Sequence, residues 1–232
     1  MQVLNIFCAG AAQSVVAELA AALEKEGSHV IAAQYGAVHA LKARIVAGDP
    51  ADVVILTDRL IDELIDSGLV VPGSRADLGP VPTGVAVRRD EPAPDIGSTD
   101  QLREALLNAE RIVCPDPAVA SAGRALLDAL ARLGILDAVR PRLLYCPSGY
   151  AAVARLAAAS EAGELGVMQL TEILAHQTVA LAGTLPPELQ PAVAVYAAGL
   201  GAHSKHAADS AAFIRRLAGS SEALKAAGFG AP

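Results

Sequence analysis

Apolar and polar positions alternate along the first third of the chain as they do where strands are separated by helices. Val3–Phe7 is a short apolar run of β-prone residues, and Ser14–Lys25 carries its apolar residues at helical spacing. The same order recurs twice, with strands predicted at His29–Ala33 and Asp52–Leu56 and helices at Ala37–Ala47 and Leu60–Asp66. This order predicts βαβ crossovers and a mostly parallel sheet that is covered on both faces.

Two segments rich in Pro and Gly interrupt this alternation, at residues 72–83 and at Leu185–Pro191. Between them the alternation resumes, with strands predicted at Gly84–Val87, Arg111–Cys114, Leu143–Cys146, Leu165–Met168 and Val179–Ala182 and helices at Leu102–Leu107, Ser121–Leu133 and Tyr150–Ala159. A strand at Ala192–Ala198 and a helix at Ala207–Leu217 follow the second break. Domain boundaries tend to fall in such breaks.

The predicted fold class is therefore α/β, with two Rossmann-like lobes whose mostly parallel sheets are joined by two crossovers. The first lobe is expected to contain residues 1–80 and 196–232, and the second to contain residues 81–195. The helices at the end of the chain have no sheet of their own, so we expect them to pack on the first lobe.

Composition and charge narrow the choice of partners. The 232 residues carry 18 Lys and Arg against 25 Asp and Glu, a net charge of −7, and only 3% of them are aromatic. Nucleic acid is disfavoured because it calls for a basic surface with aromatic residues. The chain shows no signal peptide and no long apolar span, so we expect a cytoplasmic protein as written, or a periplasmic one if a leader was removed.

Neither a metal nor an organic cofactor is expected. Cys8, Cys114 and Cys146 are far apart in the sequence, and neither they nor the five His have the spacing of a metal site. We interpret the cysteines as buried thiols. Nucleotide binding is disfavoured because neither a phosphate-loop motif nor a glycine-rich dinucleotide motif occurs between a strand and a helix.

Small residues occupy four of the predicted junctions between a strand and the next helix, at Cys8–Ala12, Tyr35–Ala37, Ala120–Gly123 and Pro147–Gly149. A helix start offers unpaired N–H groups and a partial positive charge, and small side chains let an anion approach them. Ligands of open α/β sheets bind at the carboxyl ends of the strands, where these junctions lie. An acidic chain can therefore still bind an anion through its main chain.

The order of these motifs resembles the molybdate-binding branch of the type 2 periplasmic solute-binding proteins. The segments that carry the resemblance span nearly the whole chain: Ile6–Ala12, Gln34–Ala37, Ile45–Ile55, Ser121–Arg124, Leu133–Ile135, Gly163–Val167, Leu185–Pro191 and Gly228–Phe229. The resemblance implies two lobes joined by a hinge, which close on a ligand held in the cleft between them.

Three departures from that branch change the expected ligand. The branch places a hydroxyl residue where this chain has Ala11, a Ser where it has Val38, and commonly a Tyr where it has Met168-Gln169. Each lost hydroxyl is expected to cost roughly 1–3 kcal/mol of oxyanion binding. The segment Gly166–Ile173 instead resembles a branch that handles organic acids and includes an aconitate isomerase, so an organic carboxylate is favoured over molybdate.

The candidate ligand-binding residues all lie at the predicted junctions: Gly10, Ala11, Tyr35, Gly36, Val38, His39, Ser121, Gly123, Arg124, Ser148, Gly149, Tyr150 and Gln169. Arg124 could form a bidentate contact with a carboxylate or be an exposed helix residue. Gln169 could donate a hydrogen bond to a carboxylate. His39 could be a general base or a capping residue on the surface.

Two functions remain open from the sequence. The chain could be a solute-binding module for a small anion, with a transporter as its partner if an export signal was removed. It could instead be a cofactor-independent isomerase that moves a proton along an unsaturated di- or tricarboxylate, with His39 as its catalytic base. The sequence does not indicate the oligomeric state.

Overall fold

A computed structural model describes residues 3–27, 30–190 and 192–231. Contacts between residues divide the chain into two compact units, the first formed by residues 1–80 and 194–232 and the second by residues 81–193. Residues 194 and 195, which the sequence analysis assigned to the second lobe, lie in the first unit. His29, where the second strand was predicted to begin, and Pro191 lie outside the described residues.

The described part of unit 1 contains five strands in one sheet with the order β2-β1-β3-β10-β4. The strands are β1 (Val3–Ala9), β2 (Val30–Gly36), β3 (Val53–Thr57), β4 (Ala76–Val81) and β10 (Ala194–Leu200). Its helices are α1 (Gln13–Lys25), α2 (Val38–Val46), α3 (Asp58–Asp66), α9 (Ala207–Gly219) and α10 (Ser221–Ala227), with a short 3-10 helix at Gly10–Ala12. β1 is parallel to both β2 and β3, whereas β10 runs antiparallel to β3.

Unit 2 has the corresponding strand order β7-β6-β8-β5-β9. Its strands are β5 (Thr83–Arg88), β6 (Arg111–Pro115), β7 (Leu143–Cys146), β8 (Glu164–Gln169) and β9 (Val179–Thr184). Its helices are α4 (Thr99–Asn108), α5 (Ser121–Arg132), α6 (Leu136–Val139), α7 (Gly149–Ala157) and α8 (Leu170–Leu174), with a 3-10 helix at Arg140–Arg142. β6 is parallel to β7 and β8, and β5 is antiparallel to β8 and β9.

The α/β class is confirmed, and each sheet is mixed, with three neighbouring parallel strands and one strand that joins them antiparallel. In each sheet the three strands that are connected by helices are parallel. β5 and β10 are the first strands after the chain passes from one unit to the other, and both pair with a neighbouring strand in the antiparallel direction. Apolar alternation places residues on the faces of a sheet but does not determine strand direction.

The sheet of unit 2 is buried on both faces, as its apolar strands predicted. Ile112 and Cys114 of β6 pack in the same cluster as Leu102 of α4 and Leu126 of α5. Val113, between them in the sequence, packs on the other face in a cluster with residues of α7 and α8. This alternation follows from the two-residue period of a strand.

Strand β4 corrects the prediction that residues 72–83 only connect the lobes. Pro80 lies in this strand, within a segment that the sequence analysis treated as a break because it is rich in Pro and Gly. β4 is at the edge of its sheet, where a proline is tolerated. The carbonyl oxygen of Pro80 accepts a hydrogen bond from the main-chain nitrogen of Gly230 at 2.8 Å.

The end of the chain packs on unit 1, as predicted. Helices α9 and α10 contact α1, and α9 also contacts β10. The rings of Tyr196 in β10 and Phe229 meet edge to face, with their centroids 6.3 Å apart. Arg216 of α9 forms a two-pronged ion pair with Glu26, which follows α1, at 2.7 and 2.8 Å.

The three cysteines are buried and form no disulfide, which agrees with their interpretation as core thiols. Burial raises the pKa of Cys8, and burial together with the neighbouring Cys146 and Asp116 raises the pKa of Cys114 to about 12. These thiols therefore stay protonated and unreactive near neutral pH.

Candidate functional site

In unit 1 the first two junctions start from paired residues. Ala9, the last residue of β1, lies opposite Gly36, the last residue of β2. Gly10 and Ala11 follow in the 3-10 helix, where both are buried and the side chain of Ala11 is only 2% exposed. The predicted residues of these two junctions therefore lie side by side at the carboxyl edge of the sheet.

The second junction continues from Gly36 into α2. Val38 is its first residue and is 3% exposed, while His39, its second residue, is half-buried. Tyr35 lies beside Cys8 in the paired strands and is 36% exposed. Burial, with a smaller effect of Cys8, raises the pKa of Tyr35 to about 12, so its hydroxyl keeps its proton and can donate it in a hydrogen bond.

In unit 2 the first two junctions are also adjacent, because Pro115 at the end of β6 lies opposite Cys146 at the end of β7. Ser121 begins α5 after the first of these strands. Ser148 caps α7 after the second, and its hydroxyl accepts a hydrogen bond from the main-chain nitrogen of Ala151 at 3.2 Å. The junctions singled out in the sequence thus occur at equivalent positions in both units.

Two of the predicted ligand-binding residues, Gly123 and Arg124, contact the loop that precedes α5. The guanidinium group of Arg124 donates hydrogen bonds to the carbonyl oxygens of Pro117 at 3.0 Å and Ala118 at 3.2 Å. A Cβ added to Gly123 would lie 2.2 Å from the carbonyl oxygen of Pro115. These contacts favour structural roles for Arg124 and Gly123, which hold the start of α5 against the preceding loop.

Gln169, the last residue of β8, connects to the start of α5. It is 3% exposed, and its side-chain nitrogen donates a hydrogen bond to the Ser121 hydroxyl at 2.9 Å. Gln169 also forms a reciprocal capping box with Glu172, in which the main-chain nitrogen of Gln169 donates to Glu172 Oε2 at 3.1 Å. The structure therefore places Gln169 and Ser121 together, as candidate polar residues of the site.

Glu172 is a functional candidate that the sequence analysis did not single out. Its side chain is buried against the start of α7, where a Cβ added to Gly149 would lie 1.8 Å from its Oε2. Burial raises the pKa of Glu172 to about 7, although the hydrogen bond from the main chain of Gln169 lowers it. The signal in the sequence was the Gln-x-x-Glu spacing directly after a strand, which is typical of a capping box.

Tyr150, the second residue of α7, is half-buried and contacts the ring of His176 edge to face, with centroids 6.3 Å apart. In unit 2, therefore, Glu172 contacts Gly149 and Gln169, Gln169 contacts Ser121, and Ser148 and Tyr150 adjoin Gly149 at the start of α7. The expectation that a ligand lies between the lobes stays a prediction.

A cavity of about 460 Å³ in unit 2 lies away from these junctions. It is lined by residues around the start of β8, including Glu164, and by Glu91 and Glu104. Glu164 forms ion pairs with Arg111 and Arg155, and Glu91 forms one with Arg88. The cavity therefore contains none of the candidate ligand-binding residues. Of its four carboxylates, those of Glu91 and Glu164 are already in ion pairs.

A comparison with protein families assigns the chain. The family described as bacterial extracellular solute-binding protein matches residues 4–230. The chain belongs to this family. Within the described ranges, 3–27, 30–190 and 192–231, no helix of this family member is both long and apolar enough to cross a membrane. The same ranges contain no group of three or more His, Cys, Asp or Glu that could hold a metal ion.

Individual members and neighbours of the family agree with the predicted resemblance. An aconitate isomerase from Pseudomonas is 30% identical over 187 residues, which cover 81% of this chain and 69% of that protein. The periplasmic molybdate-binding protein of Azotobacter vinelandii shares the fold, with a TM-score of 0.84, 23% identity and 99% of both chains covered. The sulfate-binding protein SubI of Mycobacterium tuberculosis has the same fold, with a TM-score of 0.71 and 19% identity. The match covers 99% of this chain and 86% of SubI.

Proposed function

We propose that this solute-binding protein binds a small organic anion with two or more carboxylates at the carboxyl ends of its parallel strands. In unit 2 the main-chain N–H groups at the starts of α5 and α7 would bind carboxylates, and the Ser121 hydroxyl would add a directed hydrogen bond. In unit 1 the start of α2 offers the same kind of N–H group. Relatives of the same fold that are named for binding molybdate and sulfate support an anion as the ligand.

The observation that carries the choice of a carboxylate is the pair of buried aliphatic residues in unit 1. Ala11 and Val38 stand where the molybdate-binding branch has hydroxyls, and neither can donate a hydrogen bond to a tetrahedral oxyanion. Unpaired oxygens of a desolvated oxyanion are costly, whereas an organic acid has carbon atoms that can face aliphatic side chains. The aconitate isomerase relative supports the same class of ligand.

A calorimetric panel tests this proposal. The titrated anions would be trans-aconitate, citrate, molybdate, sulfate and phosphate. We expect a tricarboxylate to bind more tightly than each inorganic anion, and Ser121→Ala to weaken it by about tenfold through loss of a hydrogen bond to a charged group. Ser160→Ala is the matched control, because Ser160 is exposed in the same unit. Preferential binding of molybdate would overturn the proposal.

A transporter of the cytoplasmic membrane is the partner that a solute-binding role calls for, and it requires the protein to lie outside that membrane. The proposal includes both the transporter as partner and the location outside the cytoplasmic membrane. Fractionation of cells that produce the full-length protein would test them, since a cytoplasmic location would be incompatible with delivery of solute to a transporter.

Isomerisation of the bound acid is the second candidate function, and the aconitate isomerase relative favours it. The reaction would remove a proton from the methylene carbon of trans-aconitate and return one to the far end of the allylic system. Proton transfer needs a general base within hydrogen-bond reach of the methylene carbon's proton, and His39 remains the candidate base at the start of α2.

Proton NMR of trans-aconitate in D₂O tests this second function. An isomerase would incorporate deuterium at the methylene carbon and produce the cis isomer, and His39→Gln would slow both events by at least about a hundredfold. The control is His203→Gln, since His203 is an exposed histidine of the same unit. Binding without deuterium exchange would leave the solute-binding role and remove the enzymatic one.

A further inference from the structure

The carboxylate of Glu172 lies at a helix start that belongs to the proposed anion site. Gly149 is the first residue of α7, and its missing side chain is what makes room for Oε2 and Oε1 of Glu172, which lie 1.8 and 2.3 Å from where a Cβ would be. A carboxylate at this position uses the positive end of the helix dipole. A bound anion at the same helix start would use it too.

A chain of hydrogen bonds joins Glu172 to the polar group proposed to contact the ligand. Glu172 and Gln169 hold each other through the capping box, and the side chain of Gln169 donates to the Ser121 hydroxyl. The Glu172 carboxylate holds the main chain of Gln169, the main-chain nitrogen of Glu172 holds the Gln169 side chain, and that side chain connects β8 to the start of α5. We therefore expect a change at Glu172 to alter the starts of both α5 and α7.

No cation compensates the charge of Glu172 among the residues that the structure describes. The elements packed most closely against α8 are β5, β8, β9 and α7. The titratable groups on these elements are Arg88 on β5, Glu164 on β8, and Tyr150 and Arg155 on α7, with none on β9. Arg155 is paired with Glu164, and Arg88 with Asp90 and Glu91. An ionised Glu172 would therefore add an uncompensated negative charge beside the bound anion.

We propose that Glu172 is a positioning residue of the anion site and that the polycarboxylate binds to the form of the protein in which Glu172 is protonated. This inference rests on the proposed binding function. The protonated carboxyl keeps the capping box through its carbonyl oxygen and removes one of two like charges at the start of α7.

The direction of the pH effect follows from linkage. In the free protein the pKa of Glu172 is about 7, and a bound anion raises it further because it repels the ionised form. Below pH 7 Glu172 is already mostly protonated, and affinity is independent of its titration. Above pH 7 each binding event must take up a proton from solvent, so affinity falls by up to tenfold per pH unit until the pKa of the complex is reached.

Calorimetric titration with trans-aconitate between pH 6.0 and 8.5, in two buffers of different ionisation heat, tests the inference. For the wild-type protein we expect the Kd to rise about tenfold between pH 7.0 and 8.5, with roughly half a proton or more taken up near pH 8. Glu172→Gln imitates the protonated carboxyl, so it should bind at pH 8.5 about as tightly as the wild type does at pH 6.5, without proton uptake. Glu188→Gln, a change to an exposed residue of the same unit, should behave as wild type.

The outcomes separate this inference from the proposed function. If trans-aconitate binds the wild type with no proton uptake and no loss of affinity above pH 7, the inference is wrong and the binding function stands. If neither protein binds any carboxylate at any pH, the binding function fails and the inference fails with it. Ser121→Ala provides a second readout that does not depend on Glu172→Gln folding, since it should weaken binding while keeping the pH dependence of the wild type.

Discussion

The carbonyl oxygen of Pro115 lies so close to the Cα of Gly123 that a Cβ at position 123 would be 2.2 Å from it. The main-chain nitrogen of Pro117 would be 2.8 Å from the same Cβ. The third residue of α5 therefore packs directly on the main chain that follows β6. This packing sets the distance between Ser121, the first residue of α5, and the end of β6.

Gly123→Ala is expected to destabilise unit 2, because the obstacle is main chain and cannot rotate away. We expect a loss of about 2–3 kcal/mol in the free energy of unfolding, measured with urea. Gly219→Ala in α9 is a suitable control, since a Cβ there meets nothing within 4 Å and the change should be neutral or slightly stabilising. Equal stability of the two variants would show that the loop before α5 can yield.

Phe229→Ala is expected to loosen the end of the chain from unit 1. Phe229 is 4% exposed and packs edge to face on Tyr196, so its removal leaves a cavity beside a fully buried ring. The cost is expected to be about 3 kcal/mol in thermal or urea unfolding. Val46→Ala, at an exposed position of the same unit, should cost less than about 0.5 kcal/mol. A similar loss for both variants would mean that the end of the chain adds nothing specific.

The fold was largely predictable because its strands are short apolar runs with helices between them. Ile112, Val113 and Cys114, for example, are apolar on both faces of β6, as a parallel strand covered by helices must be. The small residues at the strand ends also predicted which junctions lie at equivalent places in the two units. These features depend on local sequence, and local sequence was sufficient to find them.

The features that escaped prediction depend on contacts far along the chain. β4 contains Pro80 and is a strand because of its edge position and its neighbour β10. The sequence analysis did not single out Glu172, because the side chain is buried against Gly149, which lies 23 positions earlier in the sequence. Arg124 at a helix start suggested a ligand contact, and only the position of the preceding loop shows which carbonyl oxygens it binds.

Glu172→Gln is expected to stabilise the ligand-free protein at alkaline pH and to leave its stability unchanged at acid pH. Folding raises the pKa of Glu172 from 4.5 to about 7, so the folded state binds more protons than the unfolded state in this interval. The stability contributed by this group is therefore present below about pH 4.5 and is lost as pH rises to about 7. At pH 8 the variant should be more stable by at most about 3 kcal/mol.

Urea unfolding of both proteins at pH 5, 6, 7 and 8 measures this difference. Other groups titrate in both proteins, and subtracting the two curves removes their contribution. The carboxylate of Glu63, whose pKa is lowered by hydrogen bonds from Lys42 and Arg59, is one such group. A difference that is constant with pH, or a variant that is less stable at pH 8, would contradict a raised pKa at Glu172.

Restoring hydroxyls in unit 1 is expected to change the ligand preference. Ala11 and Val38 are buried at neighbouring junctions, and serine at both positions would supply the hydroxyls that the molybdate-binding branch has there. Each new hydrogen bond to an oxyanion is expected to contribute about 1–2 kcal/mol, so molybdate should bind the double variant Ala11→Ser/Val38→Ser at least about tenfold more tightly than it binds the wild type. The tricarboxylate should bind more weakly, because polar groups replace the aliphatic surface that faces its carbon atoms.

Competition calorimetry with molybdate and trans-aconitate measures both changes, and Val46→Ser serves as a control at an exposed site. An unchanged ratio of the two affinities would mean that these two positions do not select the ligand.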